Sequence, residues 1–125
     1  MTTKTGMRIA RAFREGRART IKNTQAFSSG SVWLYDKLIA YVDPDGVVCL
    51  SLTGHPTRTT RDRLNAILEA YGSENRFWQH RYTQYYGRAC EGTANDRIEI
   101  GASEWVPMAG PLGMQALKAS RTAAE

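Results

Sequence analysis

Apolar positions along this chain fall first into short extended runs and then into one helical stripe, and the most regular part lies between Ser31 and Gly72. Val32-Trp33-Leu34-Tyr35 predicts a strand, because β-branched, aromatic and aliphatic residues suit a pleated, half-buried surface. Asp36-Lys37 separates it from the next apolar run, Leu38 to Val42; the gap has the length of a tight hairpin but lacks the glycine such a turn prefers. Asp43-Pro44-Asp45-Gly46 is a stronger turn signal: proline presets its own φ, aspartate bonds its own backbone, and glycine accepts a positive φ. Val47 to Leu52 then closes a three-stranded antiparallel meander. Downstream, Leu64, Ile67, Leu68 and Tyr71 recur at i, i+3, i+4 and i+7, one apolar helix stripe. Thr59 or Thr60 is the expected N-cap, Asp62 complements the first-turn amides, and Gly72 stands where a helix stops. At about twelve residues this helix cannot stand alone, so its stripe has to pack on the sheet.

The flanks are less regular. Residues 1–5 are expected to fray. Met7, Ile9, Ala10 and Phe13 predict a narrow apolar face on a short helix ending at Gly16, with Arg8, Arg11 and Arg14 on the neighbouring face as a basic ridge. Thr20 to Phe27 has strand propensity, and Ser28-Ser29-Gly30 turns it back towards Val32, which makes the sheet at least four-stranded. Residues 76–88 hold five aromatics and three arginines; taken as one strand, they place Phe77, Gln79, Arg81, Thr83 and Tyr85 on one face and Trp78, His80, Tyr82, Gln84 and Tyr86 on the other. Neither face is cleanly apolar, so periodicity does not choose the buried side. A loop over 87–95, a short strand Arg97 to Ile100, an extended piece at Trp105-Val106 and a terminal helix over 114–124 complete the reading. The fold class is α+β: a twisted antiparallel sheet of about five or six strands against one central helix. The chain divides into a basic N-terminal helical arm (1–19), an α+β core (20–106) and a C-terminal tail (107–125).

Composition adds limits. With 125 residues, 42% hydrophobic and 23% charged, the chain is one ordinary globular domain. No window approaches the ~20 apolar residues of a membrane span, and the N-terminus lacks a secretory signal's apolar core. Cys49 and Cys90 lie too far apart for a metal-type pair, so reduced thiols and the cytoplasm of a host cell are expected. Charge changes the picture more. Residues 1–22 carry seven cations, Lys4, Arg8, Arg11, Arg14, Arg17, Arg19 and Lys22, against Glu15, so the net charge of +5 resides in that segment. A neutral body with a basic arm suits an anionic partner; the alternative is a solvated arm that keeps the protein soluble.

A set of short motifs occurs in a recognisable order: Asn23-Thr24, Leu34-Tyr35, Leu38-Ile39-Ala40, Asp45-Gly46, Leu50-Ser51-Leu52 and Gly54, then Thr59-Thr60-Arg61-Asp62-Arg63-Leu64-Asn65, and later Tyr85-Tyr86 and Glu104-Trp105. Over residues 20–106 this order resembles a widespread group of small tailed-phage and prophage proteins in which a meander leads into a threonine-capped helix. It departs at His55, where that group tends to have tryptophan, and in its longer arm and tail. The resemblance implies a mobile-element origin. By analogy with small phage proteins that block host defences, it also implies a counter-defence role such as CRISPR inhibition or capture of a signalling nucleotide.

His55 and His80 are the two histidines, and neither has a second ligand at helical spacing, so neither a metal nor another cofactor is expected. Asp43 to Gly46 has its glycine at the wrong offset for a calcium loop, and no glutamate closes it. No glycine-rich phosphate loop or nucleophile elbow is present, and Cys49 sits in a core strand as a small hydrophobe. An enzyme is not expected.

Binding fits better. Arginine forks match phosphates, and aromatic faces stack on bases. The candidate contact residues are Arg8, Arg11, Arg14, Arg17 and Arg19 in the arm, Arg58, Arg61 and Arg63 at the helix N-terminus, and Arg76, Trp78, His80, Arg81, Tyr82, Tyr86 and Arg88 in the aromatic stretch. The bland counterpart is that Phe77, Trp78 and Tyr82 cap the core while the arginines are merely solvated. The expected partner is a host nucleic-acid-handling defence complex, nucleic acid or a signalling nucleotide, with no membrane; pairing of sheet edges into a homodimer stays open. The favoured role is a non-enzymatic counter-defence inhibitor, and the alternative a DNA- or RNA-binding accessory protein.

Overall fold

The computed structural model describes residues 2–88 and 97–108. Most of the expected 87–95 loop, Cys90 and the expected helix over 114–124 lie outside the described residues. In chain order the elements are α1 (Lys4–Arg14), β1 (Arg19–Ile21), β2 (Thr24–Phe27), β3 (Ser31–Leu34), β4 (Lys37–Val42), β5 (Val48–Ser51), α2 (Arg58–Ala70), β6 (Asn75–His80), β7 (Thr83–Arg88), β8 (Arg97–Ile100) and β9 (Trp105–Pro107). Six strands form one sheet in the order β1-β2-β3-β4-β5-β9, and three form another, β6-β7-β8. Every pairing is antiparallel. The α+β class is as expected. Among the described residues, however, it is built from two sheets rather than one, and the expected N-terminal helix packs beside the central one.

Each difference from the expected elements has a local cause. Thr20 to Phe27 is a hairpin, not one strand, because Lys22 takes a φ of 52° and with Asn23 forms a two-residue turn. The next tight turn is Tyr35-Asp36, with Tyr35 at φ 56°, rather than Asp36-Lys37; Lys37 already pairs with Leu34. Register then shifts between Val32 and Trp33, leaving Ile39 as an extra residue on β4. That bulge is why the neighbours Ile39 and Ala40 are both buried.

Residues 76–88 also fold back, with Arg81-Tyr82 as the turn. A turn reverses the phase of alternation, so Phe77 and Tyr86 become direct cross-strand partners and are buried together, while Trp78 and Tyr85 stack on the other face with ring centroids 5.7 Å apart. A single-strand reading puts Phe77 and Tyr86 on opposite faces, which is why neither face looked apolar.

The cap of α2 is Thr57, two or three residues before the expected threonines; its Oγ1 accepts from the Thr60 amide at 3.2 Å. Asp62 therefore falls in the second turn. The stripe predicted for this helix is buried as expected at Leu64, Ile67 and Leu68, each worth about 1.5–3 kcal/mol when fully removed from water. Around it the core gathers Val32, Ile39 and Leu50 from the larger sheet, Leu52 just beyond β5, and Phe77, Tyr86, Ile98 and Ile100 from the smaller sheet.

The N-terminal helix is seated on this core rather than detached from it. Ile9, Ala10, Ala12 and Phe13 are buried, and Phe13 meets Tyr71 edge-on at 6.2 Å. Residues Thr2 and Thr3, expected to fray, are tied to α2: Thr2 Oγ1 donates to Glu69 at 2.7 Å, and the amide and hydroxyl of Thr3 donate to the two oxygens of Asp62 at 2.8 and 2.7 Å. Arg63 completes the clasp, donating to Asp62 at 2.5 Å, to Thr24 at 2.9 Å and to Thr3 at 3.2 Å. Helix α1 comes close enough here that a Cβ on Gly6 would lie 2.7 Å from Asp62 Oδ2, so a side chain at this position would displace the carboxylate at the centre of the clasp.

Candidate functional site

Antiparallel order dictates which loops meet. The β1–β2 turn, the β3–β4 turn, the segment leaving β5, the first turn of α2 and the β6–β7 turn all fall at one end of the molecule. Hydrogen bonds join them. Tyr35 donates its amide to the Asn23 carbonyl at 2.7 Å and Asn23 Nδ2 reaches the Tyr35 hydroxyl at 3.2 Å. Arg61 donates to Gln79 at 3.2 Å and to Gln84 at 3.1 Å, holding the base of the β6–β7 hairpin against α2.

The backbone at this pole is strained. Among the described residues, the non-glycine positions with positive φ are Lys22 (52°), Tyr35 (56°), Thr53 (55°), Arg81 (50°) and Tyr82 (69°), and all five lie there. Each costs roughly 1–2 kcal/mol, which a glycine would avoid. Unusual backbone geometry of this kind gathers where a surface has work beyond folding.

Side chains at the pole are cationic and aromatic. Lys22, Lys37, Arg58, Arg61 and Arg81 stand against the carboxylates of Asp36 and of Glu104, the latter beside the Gly101 amide at 3.0 Å, while Asp62 and Glu69, which line the groove beside α2, are engaged by Thr3 and Arg63 and by Thr2. Tyr82 is 92% exposed at the tip of its hairpin and Tyr35 is 74% exposed at its turn. Two depressions flank the start of α2: a groove of about 1100 Å³ holding Lys22, Arg58, Arg61 and Trp78, and a cleft of about 500 Å³ holding Tyr35, Lys37, His55 and Thr57. Partial burial, and after it the charge of Arg58, lowers the affinity of Arg61 for its proton; a guanidinium stays charged regardless. Positive potential from these side chains is reinforced by the first-turn amides of α2.

The expected contact residues are thus divided. Arg58, Arg61, Trp78, His80, Arg81 and Tyr82 meet at the pole. Arg76 and Arg88 lie at the opposite end of their hairpin, where Arg76 lines the far part of the groove that begins at Arg58 and donates to the Ser73 and Asn75 carbonyls at 2.7 Å each, and Arg88 sits 3.4 Å from Glu74. Arg8, Arg11 and Arg14 are exposed on α1, Arg17 pairs with Glu15 at 2.6 Å, and Arg19 is exposed on the edge strand β1. Two expected contacts are corrected outright. Arg63 is 9% exposed and belongs to the clasp. Tyr86 is fully buried, and its hydroxyl donates to the Pro107 carbonyl at 3.1 Å and accepts from Asn75 at 3.3 Å. Tyr86→Phe should therefore cost about 1–2 kcal/mol in chemical denaturation and leave binding at the pole unchanged; a binding loss without a stability loss contradicts the core assignment.

The aromatic stretch is partly occupied with itself, since Trp78 stacks on Tyr85 and Arg97 lies over the other ring of that pair, 4.9 Å from the Tyr85 centroid. Lys22, Lys37 and Tyr35 were not singled out from sequence. Lys22 and Tyr35 open two-residue turns that lack the glycine by which such turns are recognised, so their residue types do not announce the positive φ they adopt. Aromatic residues also line the outer face of the larger sheet, where Tyr41 and Trp105 meet edge-on at 5.0 Å.

Two antiparallel sheets packed with two helices, and a strained basic pole, define a small α+β protein. Residues 2–107 match the family model described as Kyanoviridae Gp96 protein, and the chain belongs to that family of phage proteins. The expected phage origin holds, and the matched span reaches further towards the N-terminus than residue 20, taking in α1 and its arginines. No curated protein and no solved structure matches the chain. Among the described residues no helix is long and apolar enough to cross a membrane, and no group of three or more His, Cys, Asp or Glu is placed to hold a metal ion.

Proposed function

We propose that this phage protein is a non-enzymatic binding protein that acts in the host cytoplasm and takes a single-stranded nucleic acid or a signalling nucleotide at the pole. Its role is counter-defence: by occupying the nucleic-acid component of a host defence complex, such as a CRISPR effector, or by sequestering a nucleotide signal, it blocks that machinery. The observation that carries the reading is the convergence of all five described strained residues with Arg58, Arg61 and the exposed rings of Tyr35 and Tyr82. Phosphates are matched by the arginine forks, and bases by faces on which any base stacks. Stacking on an aromatic is worth about 1–3 kcal/mol per base, so one ring removed should be measurable.

The test is fluorescence anisotropy of a labelled oligothymidylate and of a labelled cyclic dinucleotide, at low and at physiological salt. Tyr82→Ala and Arg58→Glu should each weaken one of these probes by about tenfold or more, as loss of a stacked base or a phosphate contact implies, with an unchanged melting temperature. Failure of both probes to bind, or binding by both variants as tight as that of the native chain, overturns the proposal.

A further inference from the structure

We infer that α1 is a second contact surface, separate from the pole: a rigid, sequence-independent grip on the phosphate backbone of a nucleic-acid duplex. Lys4, Arg8, Arg11 and Arg14 follow one another at spacings of three and four residues and are all exposed. None of them forms an ion pair or hydrogen bond with a described residue, and the nearby Glu15 is already taken by Arg17. The opposite face is sunk in the core through Ile9, Ala10, Ala12 and Phe13, and the N-terminus is locked by Thr3 and Asp62. The cations are therefore displayed on a fixed rod.

This display works against helix stability. Like charges at these spacings repel, and the first turn, where carboxylates are favoured, holds Lys4 and no acid. Only Arg11 and Arg14, near the C-terminal end, suit the helix dipole. An arrangement that weakens the isolated helix makes sense where a polyanion neutralises it.

The form of the surface selects the polyanion. Protein interfaces do use arginine, but set it around aromatic, methionine or other apolar side chains at a desolvated centre, whereas the exposed ridge is cations alone, with no apolar side chain exposed among them. A single strand is held by rings as well as charge, and the ridge carries none. A duplex asks for neither: it presents a stiff line of phosphates, one charge per ~1.7 Å of axis, and Lys4 to Arg14 span about 15 Å of helix. Thr2, Thr3 and Thr5 line the groove at the pole, so α1 starts at its rim and runs away from it. A duplex lying on α1 would place a strand end or an unpaired junction near Arg58 and Tyr82.

The experiment measures binding of a 20-base-pair duplex, and of a second duplex of unrelated sequence, to the full chain over a salt series. Four phosphate contacts predict a slope of log affinity against log salt of about −3.6, and Arg8→Gln with Arg11→Gln should reduce it to about −1.8. The two duplexes should bind alike. The double variant should melt at the same temperature or higher, since repulsion is relieved, which separates lost binding from lost folding. Tyr82→Ala should leave duplex binding intact; if Tyr82→Ala also leaves single strands bound, the pole proposal fails while this one stands. No duplex binding at low salt, or a double variant whose slope is unchanged or which loses single-strand binding while keeping duplex binding, overturns it.

Discussion

Asp62→Ala should destabilise the protein by about 3 kcal/mol, lowering its thermal midpoint by roughly 10–15 °C for a domain of this size. The Asp62 carboxylate takes three donors, the Thr3 amide, the Thr3 hydroxyl and Arg63, and the last of these is itself almost enclosed. Removing Asp62 leaves the Arg63 guanidinium away from water with Thr24 and Thr3 as its neutral partners. An enclosed cation without its counter-charge is costly; replacing both partners with apolar groups is often tolerated, so Asp62→Ala should be worse than Asp62→Leu combined with Arg63→Met. The low end of the usual range applies, because about a tenth of each side chain still meets solvent. Paired denaturant titrations of these variants decide the matter. Equal stability of Asp62→Ala and the native chain would show that α1 is held by its apolar face alone.

The second large effect has opposite signs in two measurements. Replacing Arg81-Tyr82 by Asn-Gly gives the β6–β7 hairpin the pair that such turns favour, and both residues then accept positive φ readily. Stability should rise by about 1–2 kcal/mol as strain at φ values of 50° and 69° is relieved. Affinity for the single-stranded or nucleotide probe should fall by tenfold or more, because the most exposed ring of the pole is gone. A variant that is both more stable and as competent would mean that the turn is strained for no purpose that these ligands report. The expected trade is the usual one at functional positions.

Much of this fold was legible in the residues. The meander, the stripe Leu64-Ile67-Leu68 and the buried face of the first helix follow from periodicity and are found as read. The errors concentrate at turns. Lys22-Asn23, Tyr35-Asp36 and Arg81-Tyr82 carry no glycine, so propensity gave no reason to break the chain between Ile21 and Thr24 or between His80 and Thr83. Those are also the residues that build the pole. The candidate site was hidden by the departure from turn chemistry that marks it. Arg63 and Tyr86 mislead for a different reason: a charged or phenolic side chain looks like surface until Asp62 and Thr24, or Asn75 and the Pro107 carbonyl, are brought to it by the fold. Separation in sequence, not residue type, concealed those pairings.

Because Thr2 and Thr3 are fastened to α2, any fluorophore, affinity handle or surface linker attached in front of them pulls on the joint that orients the first helix. The exposed loop from Asp43 to Val47 lies at the far end of the larger sheet from the pole, and its own bonds run within the loop, from the Asp45 and Val47 amides to Asp43. A reporter placed at Asp45 would leave the basic helix and the strained turns equally accessible, so that one immobilised sample could be offered both kinds of nucleic acid in turn.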